Sequence, residues 1–95
     1  MAGDDSLDEY HIASLVVHAR PDQLAQVRWA IAELAGAEPH DESDDGKIIA
    51  TIEAATEQHV LDRIKEIQLI NGVLSAVMVY HQVDGSGQRE MTEQA

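Results

Sequence analysis

At 95 residues the chain has room for one domain but not for an enclosed cofactor chamber, so any function must sit on its surface. With no Phe, no Cys, one Trp and two Tyr, the core must be aliphatic, and disulfides, thiolate catalysis and cysteine metal sites are excluded. Six Lys and Arg against eighteen Asp and Glu give a net charge of -12, which repels nucleic acid and attracts cationic partners.

Residues 1–9 carry Asp4, Asp5, Asp8 and Glu9 with Gly3 and Ser6, and read as an acidic flexible leader. This start lacks the basic and apolar blocks of an export signal, and no stretch approaches the roughly 18 apolar residues of a membrane span. The expected location is the cytoplasm, with no stable membrane insertion. The folded domain is expected over residues 10–83, and residues 84–95, with Gly85, Ser86 and Gly87, read as a flexible polar tail.

Tyr10 to Ala19 is rich in Ile and Val and predicts a first strand. Pro21 and Asp22 then open a helix with Leu24, Val27, Ile31 and Leu34 at helical spacing, closed by Gly36. Ala37 to Asp41 is a short strand that Pro39 assigns to a sheet edge, and Glu42 to Gly46 is a polar turn ending in Asp-Gly. Lys47 to Glu53 is the third strand. Thr56 caps a second helix bearing Val60, Ile64, Ile67 and Ile70, which Asn71-Gly72 ends. The last strand runs from Val73 to about Val83.

The halves also match at a constant offset of 36 residues, as in Ile12 with Ile48, Leu24 with Val60 and Gly36 with Gly72. Two strand-helix-strand units with right-handed crossovers predict an α+β, ferredoxin-like βαββαβ fold, a four-stranded antiparallel sheet with two helices on one face. The same offset pairs Ile12, Ser14 and Val16 with Ile48, Ala50 and Ile52 and places both sets beneath the helices. The uncovered face is then expected to carry Ala13, Leu15, Val17, Ile49, Thr51 and Glu53. Met78 and Tyr80 are taken as the outward set of the last strand, whose face the alternation leaves open, since Val73, Ser75, Val77 and Val79 suit either side.

No catalytic or metal site is expected. His11, His18, His40, His59 and His81 form no pair with a carboxylate at ligand spacing, and read as solvated or hydrogen-bonded. There is no nucleophile elbow and no Gly-rich phosphate cradle, and Arg20 alone does not make one. The first and third strands lack the exposed aromatics and cations of an RNA-binding sheet. Trp29 lies opposite the apolar stripe of its helix, where it could stand as an exposed anchor for a partner, and the favoured expectation is that it packs along the helix flank or under a loop.

The chain is similar to the NapD family from Ile12 through Gln82. The resemblance rests on Ser14-Leu15-Val16-Val17, Gly36-Ala37-Glu38, Gly46-Lys47-Ile48 and the closing block Asn71 to Gln82, above all Val79-Tyr80-His81-Gln82. It implies a cytoplasmic chaperone without cofactor or turnover, which binds the twin-arginine signal peptide of a periplasmic nitrate reductase catalytic subunit. Such a protein supports maturation of the subunit and prevents premature export. The peptide-binding residues expected are Ala13, Leu15, Val17, Ile49, Thr51, Glu53, Met78 and Tyr80, in a monomer, with the peptide docked as a helix or as an added strand. The rival class is a regulatory ligand-binding or dimerisation module of the same fold.

Overall fold

The computed structural model describes residues 10–84. The expected leader, and the tail beyond Asp84, lie outside the described residues. Within them the chain forms β1 (Tyr10–Ala19), a short 3-10 turn (Pro21–Gln23), α1 (Leu24–Glu33), β2 (Ala37–Glu42), β3 (Lys47–Ala54), α2 (Glu57–Gln68) and β4 (Val73–Asp84). One antiparallel sheet has the order β2-β3-β1-β4, which puts the two Ile- and Val-rich strands at its centre and β2 and β4 at its edges. This is the expected ferredoxin-like fold.

Local chemistry sets the element ends. The Thr56 Oγ1 accepts from the His59 backbone N–H at 3.1 Å and caps α2. Gly46 closes the β2–β3 turn at φ 103°, and a Cβ there would strike the Ala19 carbonyl oxygen. That carbonyl belongs to a close approach in which the Ala19 N–H donates to the Gly46 oxygen at 2.7 Å.

The core consists of Ala13, Leu15, Val17 and Ala19 of β1, Ile48, Ala50 and Ile52 of β3, Val27 and Ile31 of α1, Val60 and Ile67 of α2, and Ala76 of β4. Ala13, Leu15 and Val17 have no exposed surface. The expectation for the faces of β1 is therefore inverted. These three residues lie under the helices, and Ile12, Ser14 and Val16 point the other way. The gap-free repeat caused the error: Ala19 to Gly36 spans 17 residues, whereas Ala54 to Gly72 spans 18. A one-residue difference exchanges the two faces of a strand, because its side chains alternate.

Met78 also departs from expectation. It pairs with Leu15 and so falls on the helix side, 38% exposed because β4 is an edge. The register shifts between Ser14 and Leu15, where Tyr80 and Met78 are successive partners and Val79 is the extra residue of a bulge. Sequence alternation alone puts Met78 and Tyr80 on one face, and the bulge separates them.

The open face of the sheet as candidate binding site

The face away from the helices can be written as four rows from the strand register. Glu53, Ile12 and Gln82 form the first. Glu38, Thr51, Ser14 and Tyr80 form the second, Ile49, Val16 and Val77 the third, and Lys47, His18 and Ser75 the fourth. Ile12, Val16 and Ile49 are half-buried among their neighbours on the sheet, while Val77 and Tyr80 are more than half exposed. No other described element covers this surface. Its centre is aliphatic, with Tyr80 at the β4 margin.

Charge is distributed unevenly over it. Glu53 and Glu38 stand at one end, and Lys47 with His18 at the other, where the Asp45 carboxylate lies near both, so the face has one acidic pole and one of mixed charge. The Tyr10 hydroxyl donates to Glu53 Oε1 at 2.5 Å and fixes that carboxylate at the rim. The bond raises the Tyr10 phenol above its ordinary value, first because the donated proton is held by the carboxylate, then through desolvation and the nearby negative charge. His40 shares a hydrogen bond with Thr51 at 2.8 Å, Nε2 to Oγ1, and the Tyr80 hydroxyl donates to Gln82 Oε1 at 3.3 Å. The Ser14 and Thr51 row divides the apolar surface, with Ile12 on one side and Ile49, Val16 and Val77 on the other.

Of the expected site residues, Ile49, Thr51, Glu53 and Tyr80 lie together on this face. Ala13, Leu15, Val17 and Met78 do not. Ile12, Val16 and Val77 take the apolar positions and were missed, as were Glu38 and Gln82 at the rim. One signal for β1 was available: Ser14 and His18 share its even-numbered face, as polar residues on a solvent side should.

The remaining candidates lie elsewhere. His81 and His11 sit on the helix side, with Nδ1 of His11 and Nε2 of His81 3.0 Å apart and the rings stacked at 5.2 Å between centroids. Among the described residues no group of three or more His, Asp and Glu side chains comes together to hold a metal. Trp29 does not pack down as expected. It is 66% exposed and walls a groove of about 470 Å³ between α1 and β2, lined also by Ala25, Ala32, Pro39 and the paired Arg28 and Glu42. Ala25 and Ala32 are too small to fill the space beside the indole. Among the described residues no helix is long and apolar enough to cross a membrane.

A ferredoxin-like sheet with one face packed under helices and the other uncovered, partly apolar and acidic at one end, presents a surface suited to a binding partner. The NapD protein family model matches residues 10–85, and the chain belongs to the NapD family. Chaperone NapD of Paracoccus pantotrophus is 34% identical over 80 residues, covering 84% of this chain and 70% of that protein. Chaperone NapD of Escherichia coli K12 is 25% identical over 80 residues, covering 83% and 92%. The solution structure of the E. coli Tat proofreading chaperone protein NapD superposes with a TM-score of 0.72 at 25% identity, over 82% of this chain and 83% of that one. A transcriptional regulatory protein of the AsnC family from Pyrococcus furiosus shares the fold alone, with a TM-score of 0.58 at 21% identity over 82% of this chain and 51% of that one.

Proposed function

We propose that the protein is a cytoplasmic assembly chaperone that binds the twin-arginine signal peptide of a periplasmic nitrate reductase catalytic subunit on the open face of its sheet. It thereby supports maturation of the subunit and holds back its export. The observation that carries this reading is the pairing, on one uncovered face, of an aliphatic centre with an acidic pole. A twin-arginine signal presents a guanidinium pair followed by an apolar stretch, and each part meets its complement. The relatives named as chaperones, and the one described as a Tat proofreading chaperone, support it. The protein acts by binding, without turnover, and one chain carries the whole platform, so a monomer suffices.

The poles also argue for how the peptide lies. From Lys47 to Glu53 the face extends for about 20 Å at the usual strand rise, the length of roughly 13 residues of helix. A helical peptide with its arginines at Glu53 and Glu38 sets its apolar side over Ile12, Val16, Ile49, Val77 and Tyr80. Its C-terminal end then lies toward Lys47, whose charge favours that end of the helix dipole.

Isothermal calorimetry with a synthetic twin-arginine signal peptide tests the assignment. Val16→Asp and Glu53→Lys should each weaken binding by about tenfold or more, equivalent to about 1.4 kcal/mol. A twin-lysine peptide should bind less tightly, because Lys keeps the charge but lacks the planar fork. Unchanged affinity in both variants would sink the reading.

A further inference from the structure

The two edges of the sheet are unlike. β2 is blunted by Pro39, by Glu38, Asp41 and Glu42, and by a register shift against β3. Along β4 up to Gln82 the Pro and the acids are missing, and only register shifts against the inner neighbour are shared with β2. From Val73 to Gln82 it runs ten residues without a Pro, Gly, Asp, Glu, Lys or Arg, and Leu74, Val77, Val79 and Tyr80 are each more than half exposed. Its two bulges are set against β1. Strands left open in this way offer a row of backbone donors and acceptors to another strand.

We propose that the β4 edge is a self-association surface, on which the β4 edge of a second copy pairs antiparallel to make a continuous eight-stranded sheet. The seam suits a second copy because it is uncharged: a net charge of -12 on each chain opposes any contact that brings acids together, and this segment brings none. An antiparallel pairing of identical strands is also self-complementary, with one patch serving both partners about a two-fold axis. Edge pairing joins the two β4 backbones and packs only the flanks of their side chains, while Val77 and Tyr80 stay on the open face, so the seam falls below the roughly 1,000 Å² of a stable specific interface. This is a weak dimer in exchange with the monomer. Since the axis stands perpendicular to the sheet, the two open faces lie side by side on the same surface.

Salt dependence separates this contact from peptide capture. Screening relieves the repulsion between two acidic chains and strengthens the dimer, while it weakens the attraction of an acidic face for arginines. Sedimentation equilibrium of the full chain in about 0.05 M and about 0.5 M NaCl should give a dimer constant at least about threefold tighter at the higher salt. Leu74→Lys and Val77→Lys should each abolish it, although both lower the net negative charge. Because the chain has no Cys, single substitutions Ser75→Cys, Val77→Cys and Val79→Cys report the register directly. Mild oxidation should cross-link one position about tenfold more than the position farthest from the axis, since a disulfide needs closely spaced Cα atoms. A chain that stays monomeric at both salts, a dimer indifferent to the two Lys variants, or even cross-linking at all three positions overturns the proposal.

Discussion

Leu15 and Val16 are neighbours on the most central stretch of β1, yet the structure assigns them to different tasks, and a pair of alanine substitutions should separate these. Leu15 has no exposed surface and lies in the cluster formed with α1, α2 and β3. Truncation to Ala leaves a cavity under both helices and should cost about 3 kcal/mol. In a domain of this size about 1 kcal/mol moves the melting temperature by about 4–8 °C, so Leu15→Ala should melt about 12–24 °C lower. Val16 is half-buried on the open face and pairs with Ile49 and Val77 there. Val16→Ala should cost under about 1 kcal/mol, with a melting shift of a few degrees, because neighbouring strands and solvent can close over the loss. Far-UV circular dichroism during thermal and urea unfolding measures both. The ordering also has a binding counterpart, since Val16→Ala should weaken the signal peptide while the folded fraction of Leu15→Ala binds as before. If Val16→Ala proved the more destabilising, the assignment of faces would be wrong.

Two further outcomes follow from the same geometry. Gly46→Ala should destabilise the fold by about 2 kcal/mol or more, since the new Cβ meets the Ala19 carbonyl and φ is positive there, and urea unfolding measures it; a neutral result would refute the close approach. In an ultraviolet titration one tyrosine should ionise above the ordinary value near 10, and Glu53→Gln should bring it down; a midpoint indifferent to that change would remove the hydrogen bond. The sign follows from linkage. With its folded value raised, Tyr10 contributes stability that is complete below its unfolded value and is lost as the pH rises through the folded one.

The elements were legible in the chain because each has its own local signals. Pro21 opens the 3-10 turn that leads into α1, Thr56 caps α2, Gly36 and Gly72 follow the helix ends at positive φ, and Asp45-Gly46 turns the hairpin. The fold followed from their order. What eluded the sequence was parity. β1 is apolar on both faces, so only Ser14 and His18 spoke for its orientation, and the internal repeat outweighed them although its halves differ by one residue in the connection. On β3 the reading was right, since Ile48, Ala50 and Ile52 contrast with Thr51 and Glu53. Met78 was misplaced for another reason, a bulge that depends on the partner strand and has no signature in β4 itself. Trp29 was expected to pack down because large aromatics usually do, but Ala25 and Ala32 leave it nothing to pack under on the outer side of α1.

The separation of Glu53 and Glu38 from Lys47 and His18 makes the receiving face directional. In the proposed complex the peptide seats in one polarity, arginines first, so whatever follows the signal in the precursor always leaves past the Ser43–Gly46 turn. The cargo is then paid out at one end of the chaperone and kept from the opposite corner, where Tyr10 and Glu53 meet. Contacts between the chaperone and the folded body of its client are thereby confined to the neighbourhood of that turn.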